Sequence, residues 1–140
     1  MPRTVLAFDF GLRRIGVAVG QDVTGSASPL GVVMNDEGRI DFPAIDRYVD
    51  EWRPEQLVVG LPLKPDGTDS EMLGPVREFI ALLGRYELPV ATMDERYTST
   101  EAERLLREAR AEGRRGRIDK ASIDSAAAVL IAERYLAGGS

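Results

Sequence analysis

The chain has 140 residues, 44% of them hydrophobic and 29% charged, which allows one globular domain with a hydrophobic core. It contains no cysteine and no histidine, which excludes disulfides, thiolate nucleophiles, Cys-ligated zinc and the commonest general base. Catalysis must then use Asp, Glu, Lys, Tyr, Ser or Thr, a set that suits hard cations, and the net charge of −5 argues against indiscriminate nucleic-acid binding. Without a signal peptide or a membrane-spanning apolar run, we expect a cytoplasmic protein with no membrane association.

The first third of the chain predicts three strands. Alternating apolar residues indicate strands over 4–10 and 15–21, joined by a turn that begins at Gly11. A third strand is expected near 29–34. The short connections between these strands favour an antiparallel meander.

After Gly38 helices and strands alternate, because apolar residues recur at helical spacing or form a short continuous run. The predicted elements are a helix over 42–52, a strand over 57–61, a loop over 62–70, a helix over 73–83, a strand over 89–94, a helix beginning at the capping box of Thr98 and Glu101, and a last helix capped by Ser122. This βββαβαβα order plus a C-terminal helix predicts an α/β fold. We expect a mixed five-stranded sheet with helices on both faces, in a single domain over residues 1–140.

Several acidic residues stand at strand or helix ends. Asp9 ends an apolar strand, where it either binds a cation or a polar partner, or faces water at the following turn. Asp94 and Glu95 end the fifth strand, which marks either a ligand site of an α/β sheet or an ordinary polar strand end. Asp124 is expected in the first turn of the last helix, where the helix dipole stabilises any acid. The small residues 126–128 that follow would let this helix pack close to the sheet.

Four motifs occur in order along nearly the whole chain. They are 6–11 with 15–20, 58–62 with 66–68, 94–96 with 99–102, and Lys120 with 123–128. Together they resemble the YqgF/RuvX family, the RuvC-like branch of the RNase H-like superfamily. The resemblance implies an RNase H-like fold and a metal-dependent endonuclease, that is, a hydrolase of phosphodiester bonds.

The resemblance also implies a set of catalytic metal ligands. Asp9 would bridge two Mg²⁺ or Mn²⁺ ions, Glu95 and Asp124 would complete the ligand set, and Asp94 would be a neighbour of the site. Two cations can activate water on one side of the phosphorus and stabilise the leaving oxygen on the other, so no histidine base is required. Clustered carboxylates repel one another, which favours cation binding.

Basic and hydroxyl residues near these acids are predicted to contact phosphates. Taken alone, a run of charge is typical of a solvated surface. Beside a nuclease site, the candidate nucleic-acid-binding residues are Arg13, Arg14, Arg96, Ser99, Thr100, Arg114, Arg115 and Lys120.

The substrate stays open between two nucleic acids. The resemblance implies 5′-end processing of pre-16S rRNA in ribosome biogenesis, with a pre-ribosomal particle as a possible partner. It equally implies cleavage of Holliday junctions in DNA. A junction resolvase would need two active sites and hence a homodimer, whereas an RNA-processing nuclease could act as a monomer. The alternatives from other functional classes are a non-catalytic nucleic-acid- or ribosome-binding module and an actin-like or sugar-kinase-like nucleotide binder.

Overall fold

The computed structural model describes residues 3–36, 38–61, 73–94 and 120–138, and at residues 94 and 120–125 it describes the backbone. The strands are β1 (Thr4–Asp9), β2 (Arg14–Gln21), β3 (Ser26–Asp36), β4 (Arg39–Ile40), β5 (Gln56–Leu61) and β6 (Val90–Asp94). The helices are α1 (Phe42–Trp52), α2 (Leu73–Leu82) and α3 (Lys120–Leu136), and a 3₁₀ helix over Leu83–Tyr86 follows α2. The predicted loop over 62–70 and the predicted helix from Thr98 lie outside the described residues.

The six strands form one mixed sheet in the order β4-β3-β2-β1-β5-β6. Strands β1 to β4 pair antiparallel in sequence, and β1, β5 and β6 run parallel to one another. The mixed sheet is confirmed, but the expected count of five strands is wrong. The additional strand β4 has only two residues, Arg39 and Ile40, which pair with the end of β3. Two residues are too few to show an alternating pattern.

Both faces of the sheet are covered by helices, as expected. Along β1, Leu6 and Phe8 belong to a core that also contains Ile45 of α1 and Phe79 of α2. Val5, Ala7 and their neighbours form a second core with Ile131 and Ala132 of α3. Because successive residues of a strand point to opposite faces, α3 lies on the face of the sheet opposite to α1 and α2.

Helix α1 begins and ends where its sequence predicts. The Asp41 side chain accepts a hydrogen bond of 3.3 Å from the backbone N–H of Ala44 and so caps the first turn. At the other end Arg53 adopts a left-handed conformation, with φ of 46°, and its N–H donates to the carbonyl of Val49. Pro54 follows directly and cannot continue the helix.

Helix α3 packs unusually close to strand β2. A Cβ atom added at Gly20 would lie 2.9 Å from Cδ1 of Leu136 and 3.3 Å from Cβ of Ala132. The absence of a side chain at Gly20 therefore permits this approach. The expectation that Ser122 caps this helix is wrong, because α3 already includes Lys120 and position 122 lies inside it. For the same reason Asp124 is not in its first turn.

Candidate functional site

Asp9 is the last residue of β1, at the centre of the sheet. Phe8 pairs with Val59 of β5, so Asp9 lies level with Gly60, which in turn pairs with Met93 of β6. The carboxyl ends of three parallel strands therefore meet at one edge, which we call the carboxyl edge. Adjacent strands are about 4.8 Å apart, so Asp9 and Met93 are about 10 Å apart across the sheet. The chain leaves β6 at this edge, at the position where Glu95 follows Asp94 in sequence.

The side chain of Asp9 is half-buried and takes the α3 face of the sheet. Strand alternation puts Asp9 on the same side as Val5 and Ala7, which pack against Ile131 and Ala132 of α3. The four residues that precede Asp9 are buried. The carboxylate thus stands where the apolar packing of β1 ends, between the sheet and the last helix.

The C-terminal half of α3 lies over the amino end of β1. Ala132 lies near Val5, at the amino end of β1, because both would contact a Cβ atom at Gly20. From Ala132 back to position 124 a helix rises about 12 Å, and from Val5 to Asp9 a strand advances about 13 Å. The part of α3 before Ala132 is therefore long enough to span β1 from its amino end to Asp9.

Small residues line the contact between α3 and the sheet. Ala127, Ala128 and Ala132 are buried. Position 124 precedes Ala128 by four residues and Ile131 by seven, which is the sequence spacing of a single stripe along a helix. Of the three predicted metal ligands, the structure describes the side chain of Asp9 and the backbone of 124, whereas Glu95 lies outside the described residues.

The turn between β1 and β2 places two arginines after Asp9. The last β1–β2 pair is Asp9 with Gly16, so residues 10–13 form a turn that extends beyond the paired strands. Arg13 is exposed and Arg14 half-buried. The turn is tight, because a Cβ atom at Gly11 would lie 2.5 Å from the carbonyl oxygen of Arg14. Among the other predicted phosphate contacts, Lys120 begins α3, and Arg96, Ser99, Thr100, Arg114 and Arg115 lie outside the described residues.

Asn35 of β3 was not singled out from the sequence. Its side chain is only 3% exposed, and its Nδ2 donates a hydrogen bond of 2.9 Å to the carbonyl of Gly11. Its Oδ1 accepts a bond of 3.1 Å from the N–H of Gly38 in the β3–β4 hairpin. The sequence does contain a signal, because strand alternation puts position 35 on the same side as the apolar Val33. The structure agrees, since Val33 is buried and Met34 between them is 57% exposed.

Since the chain lacks Cys and His, oxygen atoms are the side-chain ligands that it can offer to a hard cation, and the thioethers of its four methionines suit soft ions instead. Within the described ranges no three acidic side chains form a cluster that could hold a metal ion. Of the three predicted ligands, only the side chain of Asp9 is among the described residues. The described residues also contain no helix that is both long and apolar enough to cross a membrane.

Comparison with known proteins identifies the family. The model of the family RuvX, described as a Holliday junction resolvase, matches residues 3–138. The chain belongs to the RuvX family. A Paraburkholderia xenovorans relative is 46% identical over 136 residues, which cover 96% of this chain and 88% of the relative. An Escherichia coli O157:H7 relative is 42% identical over 140 residues, 99% of each chain. Both relatives carry the provisional name pre-16S rRNA nuclease.

Solved structures of RuvC-like proteins share the RNase H-like fold of this RuvX chain. Thermus thermophilus RuvC, in complex with a Holliday junction substrate, superposes with a TM-score of 0.61 at 14% identity, covering 96% of this chain and 94% of RuvC. The yeast mitochondrial Holliday junction resolvase Ydc2 gives a TM-score of 0.56 at 10% identity, covering 94% of this chain and 77% of Ydc2. The resemblance noted in the sequence is thereby confirmed for both family and fold.

Proposed function

We propose that the whole chain is one nuclease domain that hydrolyses phosphodiester bonds at the carboxyl edge with the help of divalent cations. The observation that carries this proposal is the position of Asp9. A half-buried carboxylate ends the central strand, at the edge where the chain leaves β6 toward Glu95, and α3 is long enough for its position 124 to reach that edge. Names of relatives that are 42% and 46% identical over nearly full length support nuclease activity.

The donor chemistry fits Mg²⁺ or Mn²⁺. Asp9, Glu95 and Asp124 would hold the cations through carboxylate oxygens, the ligands that these hard ions prefer. When bound, a pair of such cations supplies an activated water and stabilises the leaving oxygen. Asp9 is well suited to hold a cation, because its backbone belongs to a strand that is paired on both sides.

Arg13 and Arg14 would hold the substrate. Both lie in or next to the turn that follows Asp9, so their guanidinium groups would bind phosphates near the scissile bond. In a plot of the logarithm of the binding constant against the logarithm of the salt concentration, each phosphate contact makes the slope more negative by about 0.7 to 0.9. Arg13→Gln should therefore flatten the salt dependence by about this amount. Arg47→Gln, an exposed arginine on α1, is the matched control and should leave the slope unchanged.

Two substrates have support. The names of the curated relatives favour the 5′ end of pre-16S rRNA, and the description of the family model favours a four-way DNA junction. We take the rRNA as the first candidate, because relatives that cover 99% of both chains carry that name. Phosphate contacts alone do not distinguish RNA from DNA.

The deciding experiment offers both labelled substrates to the purified protein, with Mn²⁺ or with EDTA. We expect cleavage only with Mn²⁺. Asp9→Asn should lower the rate at least about 100-fold, equivalent to about 2.7 kcal/mol of transition-state stabilisation. The control is Asp22→Asn, which removes the same charge near Arg3, at the opposite end of β1. Cleavage by Asp9→Asn at the rate of the wild type would refute the proposed site.

A further inference from the structure

The buried side-chain amide of Asn35 is hydrogen-bonded to the turn that follows Asp9. Among the described residues, Asn35 has the only buried polar side chain. Burial of an amide is unfavourable unless its groups are hydrogen-bonded. Here the donor end binds Gly11 and the acceptor end binds Gly38. One side chain therefore joins the β1–β2 turn to the β3–β4 hairpin.

The backbone of Asn35 adds a second connection to the same turn. Its N–H donates a hydrogen bond of 2.9 Å to the carbonyl of Arg13. The turn over residues 10–13 is thus held near both of its ends by one residue of β3. Because the β1–β2 ladder stops at Asp9, the described hydrogen bonds that fix the carbonyls of Gly11 and Arg13 come from Asn35.

We propose that Asn35 is a positioning residue of the nuclease site, and this inference rests on the proposed role of Asp9. Asp9 is the last paired residue of its strand, so its outgoing peptide is oriented by the turn. The amide of Asn35 sets the carbonyl of Gly11, two residues further on, and with it the direction in which Arg13 leaves the turn. A displacement of about 1 Å in a catalytic group can lower a rate about 100-fold.

The surroundings of Asn35 allow positioning to be separated from stability. A cavity of about 250 Å³ adjoins Asn35 and is lined in part by Phe10, Ile40 and Phe79. Leucine has the same branched skeleton as asparagine but is larger, and the cavity can take the added volume, so Asn35→Leu removes both side-chain hydrogen bonds but gains apolar contacts. If Asn35 only supported the fold, this variant would keep most of its nuclease activity. If Asn35 positions the turn, the variant would lose nuclease activity while it stays folded.

The experiment compares Asn35→Leu and Asn35→Ala with Met34→Ala, the exposed neighbour on the same strand. Mn²⁺ affinity is measured by titration with electron paramagnetic resonance, and kcat and KM with whichever of the two substrates is cleaved. We expect the Mn²⁺ affinity and kcat to fall about 10- to 100-fold in both Asn35 variants, the range for residues that orient metal ligands. KM should change less than about threefold, and melting temperatures should stay above that of the assay.

The positioning role is wrong if both Asn35 variants bind Mn²⁺ and cleave as Met34→Ala does. It is also wrong if any loss disappears on cooling to a temperature at which the variants are fully folded. Asp9→Asn is measured in parallel. If Asp9→Asn abolishes Mn²⁺ binding while the Asn35 variants behave as wild type, only the role of Asn35 fails. If Asp9→Asn binds Mn²⁺ normally, the proposed site fails, and the role of Asn35 fails with it.

Discussion

Gly11→Ala should destabilise the protein although alanine is the smallest possible addition. The new Cβ atom would lie 2.5 Å from the carbonyl oxygen of Arg14, a backbone atom at the start of β2. Overpacking of this kind costs about 1–3 kcal/mol. Moving the turn aside would also weaken the bonds from Asn35 to Gly11 and Arg13, at about 1 kcal/mol each. The reduced freedom of the unfolded chain offsets only about 0.4–1 kcal/mol. We therefore expect a net loss of roughly 2–4 kcal/mol.

Urea denaturation, followed by the fluorescence of the single tryptophan, Trp52, measures this loss. The matched control is Gly84→Ala, because a Cβ atom at Gly84 meets nothing within 4 Å. The same substitution there should raise the free energy of unfolding by about 0.4–1 kcal/mol. The urea midpoint should thus fall in Gly11→Ala and rise in Gly84→Ala. If Gly11→Ala unfolds at the urea concentration of the wild type or above it, the turn is not tightly packed and this reasoning is refuted.

Three further substitutions test contacts that shape the sheet and its helices. Gly20→Val should cost about 1–3 kcal/mol, because its side chain would displace Leu136 and α3; an unchanged urea midpoint would show that α3 is loosely seated. Asp41→Ala should cost about 1 kcal/mol through loss of the α1 cap, and Asp41→Asn much less, as measured by the same assay. Burial and the 2.5 Å hydrogen bond to Asp46 raise the pKa of the Tyr86 hydroxyl. The contribution of this hydroxyl to stability is thus complete below a pH of about 10 and is lost as the pH rises further. The difference in free energy of unfolding between wild type and Tyr86→Phe should therefore shrink above about pH 10. A difference that stays constant with pH would contradict this.

Much of the fold could be predicted because its elements carry their own periodicity. The alternation in β1 and β2, the continuous apolar run of β5 and the helical spacing of α1 all predicted elements within one or two residues of those observed. Strand β3 begins earlier than expected, at Ser26, because a register irregularity between Val17 and Ala18 lets the pairing continue past Pro29. Strand β4 was missed because two residues show no period.

The site was less predictable than the fold, since it depends on contacts between distant segments. The position of Asp9 at a strand end follows from its own neighbours in sequence. The fastening of the following turn does not, because it comes from Asn35, 24 residues later in the chain. Strand alternation could have marked Asn35 as an inward-facing polar residue. Its distant partner, Gly11, could be known only from the pairing of β2 with β3, which brings the β1–β2 turn to the end of β3.

The position of Asp9 follows from the way both faces of β1 are covered. A strand buried on both faces is apolar along its length, as Val5 to Phe8 are here, and a carboxylate is tolerated only where the packing stops. The close packing that excludes charge from the middle of β1 therefore permits a carboxylate at the end of the strand. This gives a physical reason why the proposed oxygen-ligand site would lie at the carboxyl edge rather than elsewhere on the sheet.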